Sequence, residues 1–260
     1  MADDPLTGGD VQPQTAQPQN AQPQHVRPNS DLRVRLMSAA VMIVVAGAAL
    51  SLGGLPLRLF IVLVGIGLIY EFAGLVRGFA TSAGQVSFWM LAGIAYIGLA
   101  CFSLITMPAV MRWTIIAAVI ATDTGAYFAG RRFGGARIAP AISPSKTWAG
   151  LYGGMAGAAL VLLGAWLIVS VRIDDAYHMG YSLTGIVGRY PLMAVGLILA
   201  GCALAVVAQA GDFFESWMKR RAGVKDSGAL IPGHGGLFDR VDGLLAVSAV
   251  AGIMMGTGLI

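Results

Sequence analysis

Carboxylate side chains are concentrated in one short segment of this sequence. Five of the 13 acidic residues lie between positions 211 and 242, where five basic residues are interleaved with them. Carboxylate oxygens are preferred ligands of hard cations such as Mg²⁺, and lysine and arginine side chains bind phosphate oxygens. The pattern predicts a metal and polyphosphate site, against the alternative of a solvated loop with weakly paired charges. The charged residues are Asp212, Glu215, Lys219, Arg220, Arg221, Lys225, Asp226, Asp239, Arg240 and Asp242.

The spacing of these residues predicts two helix ends that approach each other. A helix that continues past position 211 would place five polar residues on one face, at offsets of 0, 3, 4, 7 and 8. Those residues are Asp212, Glu215, Ser216, Lys219 and Arg220. Asp239 and Asp242 are three residues apart at the start of the next apolar run, so they also share a helix face. Carboxylates from two such helix ends could converge on one cation.

A glycine-rich turn, Pro232-Gly233-His234-Gly235-Gly236, separates the two acidic pairs. Gly235 and Gly236 could bring main-chain N–H groups close to a bound anion. His234 is predicted as a structural hydrogen-bonding residue, with phosphate contact or proton transfer as the alternatives. We do not predict a zinc site, because His234 has no set of His or Cys partners.

A second group of polar residues precedes the fifth apolar run. Asp123 lies about two helical turns inside a predicted span, and an ionisable residue at that depth suggests function. Ser143, Lys146 and Thr147 follow, offering hydroxyl groups and an ammonium group for phosphate binding. The segment is not a Walker A loop, because the pattern GxxxxGK[ST] is absent.

These polar groups must be held by membrane helices. Of the 260 residues, 57% are hydrophobic and only 12% are charged, with a mean hydropathy of +0.74, which excludes large soluble domains. We predict an all-α polytopic membrane bundle of about seven spans, with a range of six to nine because positions 78–111 carry no charge. The predicted spans are Leu36–Leu55, Leu59–Val76, Phe88–Met107, Trp113–Phe128, Trp148–Val171, Pro191–Ala210 and Gly243–Ile260.

The distribution of positive charge predicts the orientation of the bundle. In a seven-span arrangement, 13 of the 17 Lys and Arg residues fall on one side of the membrane. Cytoplasmic loops carry such an excess, so the N-terminus and the loops 129–147 and 211–242 are predicted to be cytoplasmic. The net charge of +4 then reflects topology and anionic headgroups, and a nucleic-acid partner is not expected.

Three regions follow from this organisation. Residues 1–30 form a Pro/Gln-rich stretch with almost no large apolar side chain, which predicts a disordered cytoplasmic tail. Residues 31–109 are predicted to be N-terminal membrane helices. Residues 110–260 are predicted to be a membrane-embedded catalytic domain that carries both cytoplasmic loops.

Several of these motifs together resemble a known enzyme family. Residues 216–242 are similar to the signature of phosphatidate cytidylyltransferases, the CDP-diacylglycerol synthases. This segment contains Ser216-Trp217-Met218-Lys219-Arg220, Lys225-Asp226-Ser227-Gly228, the glycine-rich turn and Asp239-Arg240-Val241-Asp242. The match is free of gaps over about 27 residues. The segments 123–131 and 143–147 also resemble parts of that family, so the similarity covers about residues 110–260.

The resemblance implies transfer of a cytidylyl group from CTP to phosphatidic acid at the cytoplasmic face of a bacterial-type inner membrane. It implies Mg²⁺, as one or two ions with a monovalent cation as an option, and it is compatible with a homodimer. The implied catalytic residues are Asp212, Asp239, Lys219 and Arg240, and the implied metal ligands are Asp212, Asp239, Asp242, Asp226 and Asp123. The implied substrate-binding residues are Ser143, Lys146, Thr147, Ser216, Arg220, Lys225, His234, Gly235 and Gly236.

Two other functions use similar residues. A CTP-dependent lipid-alcohol kinase would use the same magnesium and phosphate chemistry but would release CDP in place of pyrophosphate. A cation transporter would also carry acidic residues near its spans, although its site is expected nearer the bilayer midplane. The DGxxAR element of CDP-alcohol phosphotransferases is absent from the sequence.

Overall fold

The structure is a computed structural model, and it describes residues 28–177, 180 and 182–258, with side chains from residue 32 onward. Helices dominate the described residues, as the sequence predicts, with one two-stranded sheet between the fourth and fifth helices. The elements are α1 (Pro28–Leu52), α2 (Gly54–Phe79), α3 (Ala83–Thr106), α4 (Ala109–Phe133), β1 (Arg137–Ala139), β2 (Ser143–Thr147), α5 (Trp148–Tyr177), α6 (Leu183–Arg189), α7 (Pro191–Arg221) and α8 (Phe238–Gly256).

Helix length and apolarity identify an integral membrane protein. Five helices, α1, α2, α3, α5 and α7, are long and apolar enough to cross a membrane. Helices α4 and α8 contain 25 and 19 residues and overlap the two remaining predicted spans. The uncharged stretch 78–111 holds one long helix, α3, followed by the start of α4. The predicted tail lies outside the described residues, apart from 28–30, which begin α1.

The helices pack around α7 and α8. Helix α8 contacts α3 and α7, helix α5 contacts α4 and α7, and α2 packs on α3. Their shared core includes Leu68, Phe72, Ile97, Met218 and Phe238, all of which are almost completely buried. Helix α1 has α2 as its main neighbour and leaves most of its apolar side chains exposed. A continuous packed core therefore supports the region where α7 meets the start of α8, in which the acidic residues lie.

Two helix contacts depend on glycine. A Cβ atom added at Gly211 of α7 would lie 2.6 Å from the carbonyl oxygen of Asp242 and 2.7 Å from Cβ of Ala246 on α8. A Cβ atom at Gly157 of α5 would lie 2.5 Å from the carbonyl oxygen of Ala121 on α4. The absence of side chains at such positions lets helix backbones approach closely. At Gly211 this approach brings Asp212 and Asp242 together.

The sheet forms a short hairpin above the start of α5. Strands β1 and β2 are antiparallel, and Arg137 pairs with Thr147. The Thr147 hydroxyl then accepts a hydrogen bond of 3.1 Å from the Gly150 N–H, in the first turn of α5. This bond satisfies one of the N–H groups that a helix start leaves free. The hairpin thereby fixes Lys146, which precedes Thr147, over the end of α7.

Candidate active site

Three carboxylates meet where the C-terminal part of α7 packs on the start of α8. Asp212, Glu215 and Asp242 each place one oxygen so that the three oxygens lie within 4.8 Å of one another. Glu215 is 1% exposed, and its Oε1 has no hydrogen-bond partner among the described residues. A buried carboxylate oxygen without a donor is costly unless a ligand satisfies it. The cluster therefore has the oxygen ligands of a site for a hard cation, and a bound cation would satisfy the buried Glu215 Oε1.

Two lysine side chains partly balance these carboxylates. Lys146, from β2, forms an ion pair with Asp212 and lies over the ring of Phe213. Lys219 bridges Glu215 at 2.6 Å and Asp239 at 2.5 Å. Ser216 adds a hydrogen bond of 3.3 Å from its hydroxyl to Asp212. Four carboxylates and two ammonium groups thus form one charged network between the hairpin, α7 and α8.

Asp239 also holds the glycine-rich turn in place. Its Oδ2 accepts hydrogen bonds from the N–H and hydroxyl of Ser227, at 2.9 and 3.0 Å, and from the N–H of Gly236 at 3.0 Å. Its Oδ1 contacts the ammonium group of Lys219. A Cβ atom at Gly236 would lie 2.8 Å from Asp239 Oδ2, so this position has room only for glycine. Oδ2 of Asp239 therefore holds the loop around Ser227 and Gly236 in place, and Oδ1 contacts the Lys219 ammonium group.

Glu71 of α2 holds the start of α8 through hydrogen bonds. It is 2% exposed and accepts hydrogen bonds from the N–H groups of Leu237 and Phe238, at 2.9 and 2.8 Å. The Ser227 hydroxyl donates to the same carboxylate at 3.1 Å. The N–H groups at a helix start and the helix dipole both favour a negative charge there. Glu71 is thus a tertiary cap that fixes Asp239 and Asp242 relative to the bundle.

The two aspartates of α8 that precede the predicted last span have opposite electrostatic environments. Burial, followed by repulsion from Asp212, raises the pKa of Asp242 to about 7. Burial also acts to raise the pKa of Asp239, but hydrogen bonds from its neighbours, including Lys219 and the Ser227 N–H, hold it below its usual range. Asp242 therefore ionises less readily than Asp239, and a cation bound beside Asp212 and Asp242 would favour the charged form of Asp242.

A polar cavity of about 640 Å³ opens beside the acidic cluster, between α4, α5, α7 and the hairpin. Asp123 and Asp212 line it together with Lys146, Thr147 and Arg131. The Arg131 guanidinium group donates to the Tyr127 hydroxyl at 2.9 Å. The cavity is large enough for a small-molecule ligand and combines carboxylates with cationic groups. It is the candidate site for a polyphosphate.

Arg240 points away from this cavity. It is two residues before Asp242, and residues two apart on a helix lie about 200° apart around the axis. Its guanidinium group donates to the carbonyl oxygen of His234. His234 in turn forms a 2.8 Å hydrogen bond through Nδ1 with the Ser38 hydroxyl of α1. Arg240 and His234 therefore lie on the α1 side of α8.

The remaining predicted residues occupy the edges of the site. Ser143 is buried in β2, and Arg220 reaches the carbonyl oxygen of Ile142 at 3.5 Å. Lys225 and Asp226 are exposed, with Asp226 beside Gly235 and outside the group formed by Asp212, Glu215 and Asp242. The structure thus gathers only part of the predicted set around one point.

Three functional candidates in the structure are absent from the catalytic residues, metal ligands and substrate-binding residues that the resemblance implies. Glu215 joins the acidic cluster, and its position three residues after Asp212 was the available signal. Arg131 lines the polar cavity. Gln209 also lines it and has a buried side-chain oxygen without a hydrogen-bond partner among the described residues. The position of Gln209 in an apolar run, one turn before Asp212, was its only signal.

Known proteins are similar to this chain in sequence. The profile of the cytidylyltransferase family matches residues 87–257. A phosphatidate cytidylyltransferase of Brucella suis biovar 1 (strain 1330) is 40% identical over 168 residues, which cover 62% of this chain and only 55% of that protein. Proteins of the same name from Rickettsia bellii (strain RML369-C) and Rickettsia felis (strain ATCC VR-1525 / URRWXCal2) are 30% and 29% identical. They match over 85% of this chain, and over 89% and 90% of their own lengths. The chain therefore belongs to the cytidylyltransferase family.

Proposed function

We propose that this protein transfers the cytidylyl group of CTP to phosphatidic acid, forming CDP-diacylglycerol and pyrophosphate. The observation that carries the proposal is the acidic cluster of Asp212, Glu215 and Asp242 beside a polar cavity with basic side chains, at the ends of membrane helices. Family membership and the names of the similar proteins point to the same reaction. One substrate is soluble and the other is a lipid, so the site must lie at the membrane surface.

In this reaction, an oxygen of the phosphatidate phosphate attacks the α-phosphorus of CTP. A new P–O bond forms, the bond from the α-phosphorus to the bridging oxygen breaks, and pyrophosphate leaves with that oxygen. The attacking phosphate is already ionised near neutral pH, because its second pKa is about 6. No general base is therefore required, and His234 is assigned no proton-transfer role. The chief barrier is the repulsion between two anions, which cationic groups must offset.

The described residues have distinct proposed roles in metal and phosphate binding. Asp212, Glu215 and Asp242 would hold Mg²⁺, and Asp123 and Asp239 are further candidate ligands on opposite sides of this cluster. A bound Mg²⁺ would neutralise charge on the nucleotide phosphates. Lys146 would bind the same phosphates from the hairpin, with Arg131 and Thr147 on the cavity wall. Lys219 would orient Glu215 and Asp239. Asp226, which is exposed, is the weakest candidate ligand.

The proposed setting is the inner membrane of a bacterium, with the acidic cluster facing the cytoplasm. The excess of Lys and Arg in the loops 129–147 and 211–242 supports this orientation. Both loops contribute to the cavity and the charged network, so both must face the compartment that contains CTP. A homodimer is also proposed, on the family resemblance alone.

The test is pyrophosphate release by purified protein given CTP, Mg²⁺ and phosphatidic acid in detergent micelles. We expect release that requires phosphatidic acid and that falls about 100-fold or more in Asp239→Asn, while expression and membrane insertion stay unchanged. Diacylglycerol in place of phosphatidic acid should give no product. CDP release with diacylglycerol would instead identify a lipid-alcohol kinase. Cation flux into liposomes without nucleotide, and no pyrophosphate release, would identify a transporter.

A further inference from the structure

A second large cavity lies on the other side of α8 from the acidic cluster. It has a volume of about 580 Å³ and separates α1 from α4 and α8. Its lining is apolar except for Cys101 and two arginines, Arg112 and Arg240. This cavity lies among the membrane helices, so a solute that fills it must itself be largely apolar.

The two arginines lie at opposite ends of this apolar cavity. Arg112 is in the first turn of α4, and its Nη1 donates to the carbonyl oxygens of Leu104 and Met107, at 3.0 and 3.1 Å. Its charge is thus directed at the C-terminal end of α3, where carbonyl oxygens lack helical partners. Arg240 is in the first turn of α8, at the end nearest the glycine-rich turn. Its side chain is exposed, and among the described residues its guanidinium group is seen to donate only to the neutral carbonyl oxygen of His234.

A second cation stands at the same end. Arg35 of α1 packs against Gly233, next to His234, and its side chain is exposed. The cytoplasmic mouth of the cavity, which we define by Arg35 and Arg240, is therefore cationic, while its interior is apolar. Guanidinium groups bind phosphate oxygens through paired N–H donors. The complementary ligand is an amphiphile with an anionic phosphate head and long apolar chains.

The glycine-rich turn connects this mouth to the charged network. Its His234 contacts Ser38 of α1, whereas its Gly236 donates to Asp239. A phosphate group bound by Arg240 would therefore lie beside the turn whose opposite side contacts Asp239. The polar cavity with Lys146 lies on the other side of α8, so each substrate has its own approach to the start of that helix. The lipid phosphate must therefore pass from Arg240 over the glycine-rich turn to the acidic cluster before it attacks CTP.

We propose that the apolar cavity binds the acyl chains of the lipid substrate and that Arg240 and Arg35 bind its phosphate. This inference rests on the proposed function. A lipid phosphate monoester in the cytoplasmic leaflet fits both features of the site. Helix α1 has few contacts beyond α2, and α1 and α4 both line the cavity, so the proposal has the lipid enter from the bilayer between these two helices.

The experiment compares two tryptophan variants on α1. Ala46 lines the cavity, whereas Val44 is 68% exposed and does not line it. For long-chain phosphatidic acid, Ala46→Trp should raise KM by about tenfold or more, as expected if roughly two methylene groups are kept out of the cavity. KM for CTP should stay unchanged, and Val44→Trp should behave as wild type. With a short-chain phosphatidic acid the effect of Ala46→Trp should disappear, whereas Arg240→Gln should raise KM for both lipids and Arg240→Lys should restore part of the loss.

A second readout does not depend on activity. A long-chain phosphatidic acid with a photoreactive group at the chain end should cross-link to peptides of α1 and α4 in wild type and less in Ile116→Trp. Equal lipid kinetics in Ala46→Trp and Val44→Trp would overturn the proposal, as would cross-links confined to other helices. Cross-linking in the cavity without any change in lipid kinetics would show a non-substrate lipid and also overturn it. Failure of the proposed function is distinct, since wild type would then release no pyrophosphate with either lipid.

Discussion

Glu215 is the residue whose role is set most sharply by its surroundings. It is buried, one of its oxygens has no hydrogen-bond partner among the described residues, and the other contacts Lys219. A buried carboxylate that served only structure would be expected to have both oxygens satisfied, as those of Glu71 are. This difference supports the proposal that Glu215 binds a cation together with Asp212 and Asp242.

If Glu215 contributes to a cation site, Glu215→Gln should lower kcat by about 10–100-fold and raise the Mg²⁺ concentration that gives half-maximal activity. The substitution keeps the size of the side chain and removes its charge. Asp175→Asn is the control, because Asp175 is exposed near the end of α5 that is predicted to face away from the cytoplasm. The measurement is a magnesium titration of pyrophosphate release. An unchanged titration in Glu215→Gln would remove Glu215 from the site.

At the scale of secondary-structure elements, the site depends on how α2 and α7 hold the start of α8. Glu71 satisfies two N–H groups of α8, and Gly211 lets α7 approach the backbone of α8. Neither residue faces the polar cavity. Both set the distance between carboxylates that come from separate helices.

Loss of the Glu71 carboxylate should destabilise the start of α8. In Glu71→Ala, the N–H groups of Leu237 and Phe238 lose their acceptor, at a cost of about 1–3 kcal/mol for each group left unsatisfied, whereas the Ser227 hydroxyl can still donate to Asp239. We expect a lower Tm in detergent and reduced activity. Glu71→Gln, which keeps an acceptor oxygen, should fall between wild type and Glu71→Ala. A Tm for Glu71→Ala equal to that of wild type would show that water replaces the carboxylate.

The contact of α7 with α8 can be tested with a pair of glycines on one helix. Gly211→Ala should push α7 and α8 apart, because the new methyl group meets the Asp242 carbonyl, and a displacement of about 1 Å can reduce activity 100-fold. Gly196→Ala is the matched control, since a Cβ atom at Gly196 has no neighbour within 4 Å. Both variants gain helix propensity, of about 1 kcal/mol. Comparable activity in the two variants would contradict the role of the close approach.

On the scale of the whole molecule, α8 separates two cavities of different character. One is polar and lies beside the hairpin, and the other is apolar and lies beside α1. This division suits an enzyme that joins a soluble substrate to a lipid. It also requires that the start of α8 face the cytoplasm, which the positive charges of the loops predict.

The orientation can be measured by cysteine labelling in intact cells, on a background in which Cys101 and Cys202 are replaced by alanine. A cysteine at Thr184, in α6, should react with a membrane-impermeant reagent that reaches only the outer side of the membrane. A cysteine at Ala136, between α4 and β1, should react only after the membrane is permeabilised. Both positions are exposed. The reverse pattern would place the acidic cluster outside the cytoplasm.

The sequence by itself determined the helices, the family and the acidic face of α7. Apolar runs and helical offsets are local properties, so the face shared by Asp212, Glu215 and Ser216 could be read from spacing alone. Only the tertiary structure decided which side chains meet. Glu71 lies more than 150 residues from Ser227, and only the packing of the helices places α1 beside Arg240 on one face of α8. Such pairings depend on how whole helices pack, because a residue's neighbours in the chain do not determine which helix covers its side chain.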